Sequence, residues 1–156
     1  MQFSSKEDID APVDTVFAAL SEFEAFERSA IRRGIEVRRV DEDLNTIRAG
    51  MAWDAAFDLR GKRRDLHLKL CDYEAPSNMR FESESFGLIG TLTIDLVALS
   101  PKRTRMGMVL HLAPKTLSAR LFLQSLKLAK SNLTKRFKQK TADFAKSIET
   151  GRPRRL

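Results

Sequence analysis

With 156 residues the chain has the length of one ordinary domain, and its 42% apolar and 31% charged residues exclude a disordered polymer. Apolar runs of only a few residues exclude a membrane-spanning helix. The net charge of +7 is unevenly spread: residues 1–30 carry seven acids against Lys6 and Arg28, whereas residues 127–146 carry Lys127, Lys130, Lys135, Arg136, Lys138, Lys140 and Lys146 against Asp143. That basic stretch reads first as a solvated helix face and second as a surface able to touch an anionic membrane transiently.

The N-terminus opens with Gln2, Ser4, Ser5, Lys6, Glu7 and Asp8, where a signal peptide would need a basic and then an apolar run, so the expected compartment is the cytoplasm. A single cysteine, Cys71, rules out an internal disulfide and a cysteine metal cluster. No oligomeric state can be read from the residues.

Phe3, Ser5, Glu7 and Ile9 alternate with polar neighbours and predict a short opening strand. Pro12 then suits a first helical turn, and Val13, Val16, Phe17 and Leu20 follow at helical spacing. Ser21 with Glu24 has the form of a capping box, predicting a second short helix that buries Phe23, Phe26 and Ala30 and ends at Gly34.

From Ile35 to Pro114 the chain reads as consecutive strands, an antiparallel meander. Ile35 and Val37 begin the first, and Asp41, Glu42, Asp43 and Asn45 supply its turn. In the clearest segment, Met51, Trp53, Ala55, Phe57 and Leu59 alternate with Ala52, Asp54, Ala56, Asp58 and Arg60. Gly61 and Lys62 are the expected turn, and Leu66, Leu68 and Leu70 form the next apolar parity. Met79, Phe81, Ser83 and Ser85 follow, then Leu92, Ile94 and Leu96, and after Ser100-Pro101-Lys102 come Met106, Met108, Leu110 and Leu112. The total is about seven strands.

From about Lys115 to Ile148 the periodicity is helical without an internal proline or glycine, which predicts one helix of roughly 45–50 Å. Such a rod must lie across a sheet that curves around it. Residues 1–150 are expected to form one domain, and 151–156 a disordered basic tail.

The run Ile9-Asp10-Ala11-Pro12-Val13-Asp14-Thr15-Val16-Phe17 resembles the opening of START-like (SRPBCC) proteins, in which an I-x-A-P-x-x-x-V-F segment joins strand 1 to helix 1. The order of elements is also similar to that superfamily over nearly the whole chain, most of all to its bacterial members. The resemblance implies a helix-grip α+β fold with an apolar cavity between the sheet and the C-terminal helix. Polyketide cyclases, lipid and quinone carriers, plant ligand-binding proteins and activators of chaperone ATPases share that architecture, so a superfamily is implied and not a reaction.

On that geometry the expected cavity lining is Met51, Trp53, Phe57, Leu68, Phe81, Ser83, Ile94, Met106, Met108 and Leu110 from the sheet, with Leu121 from the long helix. Methionines suit a wall that adapts to varied shapes. Ser83 and Ser85 share the inward parity; Ser85 is expected where its strand reaches solvent, and Ser83 is left open between orienting a ligand and facing water. Asp54, Asp58, Glu82, Glu84, His67 and His111 fall on the outward parity, so no catalytic residue, metal or cofactor is assigned. Cys71 reads as an inert thiol. The Gly61-Lys62-Arg63-Arg64 segment is a basic hairpin turn, and Gly87 and Gly90 read as a turn. Without exposed aromatics beside its cations the chain has no platform for specific nucleic-acid binding.

The expected function is therefore binding or carrying a lipid-like or aromatic small molecule. A cyclase- or hydrolase-type enzyme using polar groups in the same cavity and a protein-interaction module with a filled core are the alternatives.

Overall fold

The computed structural model describes residues 1–41 and 46–151. The expected turn residues Glu42, Asp43 and Asn45 and the tail at 152–156 lie outside them. In chain order the elements are β1 (Gln2–Ile9), α1 (Val13–Leu20), α2 (Phe23–Arg32), β2 (Glu36–Arg39), β3 (Ala52–Leu59), β4 (Lys62–Glu74), β5 (Asn78–Ser85), β6 (Leu88–Ser100), β7 (Arg103–Pro114), α3 (Leu117–Lys127) and α4 (Lys130–Thr150). The strands form one seven-stranded antiparallel sheet in the order β1-β7-β6-β5-β4-β3-β2. Its strands are meander neighbours from β2 to β7, and β1 closes beside β7, with Phe3 opposite Leu110 and Ile9 opposite Thr104.

The I-x-A-P segment works by burial. Ile9 and Ala11 are buried, and the hydroxyl of fully buried Thr104 donates to the Ala11 carbonyl at 2.8 Å. Pro12, extended at φ −60 and ψ 150, ends the strand and starts α1, which buries Val16, Phe17, Ala19 and Leu20. Helix α1 touches β6 and β7, so this end of the sheet closes over Ile9, Val16, Leu70, Met79 and Met106.

Three local expectations are corrected. Ser21 does not cap α2: its hydroxyl donates to Phe17 O at 2.8 Å and pairs with the Tyr73 hydroxyl at 2.7 Å, and the residue preceding α2 is Glu22. The buried Ser21 is thus held by the helix before it and by a half-buried tyrosine. The β3–β4 turn is Arg60-Gly61, both at positive φ (51° and 77°), as a two-residue hairpin of right-handed twist requires, and Lys62 already belongs to β4. The C-terminal rod is two helices. Leu128 and Ala129 donate to the carbonyls of Ser125 and Leu126, a tightened turn that interrupts the helix. Neither proline nor glycine marks it, because its cause is tertiary: α3 buries Ala119 and Leu123 and touches β7, whereas α4 buries Phe144, Ala145 and Ile148 and lies along β1.

Strand β2 ends in a clamp. The Arg39 guanidinium donates to both Asp41 carboxylate oxygens at 2.7 and 2.8 Å, and the Ala52 N–H adds a third bond at 3.2 Å. These bonds, the guanidinium first, lower the Asp41 pKa from 3.8 to about 2. Because the folded value lies below the unfolded one, the stabilisation is present above pH 4 and disappears as pH falls from about 4 to about 2. Asp41→Asn is expected to lower stability at pH 6 in urea denaturation, with the gap to the wild type shrinking as the pH approaches 2.

Candidate functional site

Between the concave sheet face, α2 and α4 lies a cavity of about 710 Å³. Close-packed interiors leave few voids larger than a water molecule, so a space this large marks the candidate site. Leu20, the last residue of α1, borders it on one side. Strands β3 to β7 supply Trp53, Phe57, Leu66, Leu68 and Phe81, then Leu92, Ile94, Met108 and Leu110; α2 supplies Phe23, Phe26, Glu27 and Ala30. Phe137, Lys140, Thr141 and Phe144 of α4 face them, and Ile35 and Val37 form the β2 side.

An aromatic cluster separates this space from the closed core. The Phe23 ring meets Trp53 at 5.6 Å and Phe81 at 6.0 Å, both edge-on, and Tyr73 at 6.4 Å. The Trp53 Nε1–H donates to Glu27 Oε1 at 2.5 Å, which ties β3 to α2 and gives the indole the partner a buried N–H needs.

The polar groups of the lining are few and largely committed. Glu27 accepts from Trp53, and the Thr141 hydroxyl donates to the carbonyls of Phe137 and Lys138 within its own helix. The Ser83 hydroxyl stands over the Gly90 carbonyl at 3.5 Å, opposite Gly90 in the β5–β6 register. A Cβ on Gly90 would lie 2.6 Å from the Ser83 oxygen, so the glycine is what lets this hydroxyl sit in the wall.

Of the sequence-derived lining, Trp53, Phe57, Leu68, Phe81, Ser83, Ile94, Met108 and Leu110 surround the cavity. Met51 and Met106 do not: at 3% and 1% exposure they fill the closed core, because the same inward parity runs under the α1 end of the sheet. Leu121 is 57% exposed on α3, on the side of the helix opposite the buried Ala119 and Leu123. Ser85 is 7% exposed and donates to Asp65 O at 2.7 Å, buried by the neighbouring strand instead of reaching solvent. Gly87 is the β5–β6 turn with Phe86, but Gly90 lies within β6.

Phe23, Phe26 and Ala30 carry a helical apolar spacing, and Phe137 and Phe144 lie on the C-terminal stripe; these patterns show burial without showing that the burial faces a void. Glu27 and Lys140 leave no comparable sequence signal.

On the outer sheet face, Asp54 sits against His67 and Arg38, and Arg80 bridges Asp72 and Glu82. Cys71 stands at the β4 bulge with its Sγ 3.2 Å from Glu82 Oε2; burial first, and then this carboxylate, push the thiol pKa up, which suppresses its nucleophilic form.

No protein-family model matches the chain, and no curated protein matches it. Solved structures do. The protein TTHA0849 from Thermus thermophilus aligns with a TM-score of 0.64 at 13% identity, over 97% of this chain and 99% of its own. The Zhui aromatase/cyclase from a Streptomyces species gives 0.59 at 13% identity, covering 84% and 86% respectively. A START superfamily protein from Mycobacterium smegmatis gives 0.55 at 15% identity, over 86% and 95%. The fold is thus the START-like helix grip: a curved antiparallel sheet, two short helices after the first strand and a long C-terminal helix. The likeness is one of fold.

Gly90→Ala is expected to destabilise the protein by roughly 1–3 kcal/mol through overpacking against Ser83. The double variant Ser83→Ala/Gly90→Ala should recover most of that loss in thermal denaturation; equal losses in both variants would place the strain elsewhere.

Proposed function

We propose that the protein binds one hydrophobic small molecule, lipid-like or aromatic, in this cavity and holds or carries it without changing it. The observation that carries the proposal is the cavity of about 710 Å³, walled by aromatic and aliphatic side chains from the sheet, α2 and α4. Dry apolar cavities are poor hosts for water, which needs polar partners, and good hosts for an apolar molecule. A ligand burying roughly 400 Å² of apolar surface gains about 10 kcal/mol before ordering costs, so micromolar dissociation constants are the expected range.

The arrangement favours a binder over the alternatives. A cyclase or hydrolase needs several polar groups converging on the substrate, whereas the titratable side chains of the lining are Glu27, which accepts from the Trp53 indole, and Lys140. An interaction module with a filled core has no use for the space.

Trp53 is the single tryptophan and lines the cavity, so its emission reports occupancy. Titration with a fluorescent fatty acid or an anilinonaphthalene sulfonate is expected to change that emission and saturate at one equivalent. Ala55→Phe, which narrows the cavity, is expected to weaken binding about tenfold or more. Native mass spectrometry of protein purified from its own host should show a copurifying apolar mass. Absence of both saturation and a bound mass would defeat the proposal.

A further inference from the structure

The outward face of α3 and its C-cap carries exposed leucines, with Gln124 among them, although its inward face already serves the core. Leu117, Leu121 and Leu128 are 72%, 57% and 92% exposed, whereas Ala119 and Leu123 are buried on the opposite side. At about 100° per residue the three leucines fall within roughly 40° of one another. Arg120 and Lys127 follow one flank of that stripe, both exposed. Arg60 guards the other: its guanidinium donates to Ser125 Oγ at 3.0 Å and lies 5.0 Å from the Phe122 ring centroid. Immediately after Leu128, a shallow groove on α4 is lined by Lys130, Lys135 and Lys138 with Ser131 and Thr134.

The sequence around this face is one-sided to an unusual degree. Between Asp95 and Asp143 there is no acidic residue, whereas Lys115, Arg120, Lys127, Lys130, Lys135 and Lys138 all stand within α3, its approach or the first half of α4. Exposed leucines bordered by cations match a surface that is apolar below and anionic above. A second copy of the chain would bring like charges together. A nucleic acid would satisfy the cations but not the leucines, and Phe122, the aromatic ring of α3, is occupied by Phe86 at 5.1 Å and by Arg60.

We propose that α3 and the start of α4 form a docking surface for an anionic phospholipid bilayer, with the leucines in the acyl–headgroup boundary and the lysines on lipid phosphates. The surface lies beside the end of the sheet that holds the cavity: Arg60 ties α3 to the β3–β4 turn, three residues beyond the cavity-lining Phe57. Docking does not depend on what the cavity contains.

Co-sedimentation with vesicles made of equal parts phosphatidylcholine and phosphatidylglycerol tests this. The wild type is expected to bind them, to bind phosphatidylcholine vesicles far less, and to release as salt rises. The triple variant Leu117→Asn/Leu121→Asn/Leu128→Asn is expected to lose binding about tenfold or more. These side chains are exposed, so its circular dichroism and Trp53 response to the cavity probe should match the wild type, which separates failure of docking from failure of ligand binding. Equal binding to neutral and anionic vesicles, or undiminished binding by the triple variant, would overturn the proposal. So would a nucleic acid that displaces the vesicles and binds wild type and triple variant alike.

Discussion

The constraint on which the structure depends is that its sheet has more concave face than its helices can cover. Seven strands about 4.8 Å apart span roughly 30 Å, whereas a helix with its side chains covers about 10 Å. Helix α4 lies along β1 and α1 covers the near end of β6 and β7. The inward side chains of β3, β4 and β5 face α2 and α4 from across an opening, and the cavity follows from that geometry.

Such an opening needs walls that hold their places without a filling. Phe23 meets three other rings, Trp53 anchors to Glu27, and Tyr73 anchors to Ser21, so the boundary between solid core and hollow is fixed by aromatic contacts with polar tethers. The Arg39–Asp41 clamp does similar work at the outermost strand, keeping Ile35 and Val37 on the side of the cavity. A cavity that is largely preformed would spend little of a ligand's interaction energy on ordering the protein.

Much of this was legible in the sequence because a strand's period of two is unambiguous where it is clean. The alternation from Met51 to Arg60 assigns Trp53 and Phe57 inward and Asp54 and Asp58 outward, as they stand. What parity does not carry is position along the strand. Met51 and Trp53 share one face of one segment, but one fills the core and the other borders a void, because α1 lies over only one end. The break at Leu128-Ala129 was hidden for a related reason: its residues are good helix formers, and only the different packing partners of the two helices, β7 for α3 and β1 for α4, set them apart. Leu121 was misplaced because the apolar residues of α3 occupy two opposite faces, and only the one with Ala119 and Leu123 packs inward. Ser85 illustrates the reverse case, a polar residue that reads as exposed until a neighbouring strand offers it a carbonyl.

The outermost strand has a consequence of its own. Only four residues of β2 pair with β3, and Glu36 and Arg38 project outward there, with Arg63 meeting Glu36 and Arg38 meeting Asp54. Short, charged borders discourage other chains from adding strands to a sheet. At the β2 margin, the one that flanks the greasy hollow through Ile35 and Val37, the sheet therefore offers little for another strand to pair with; its other margin is β1.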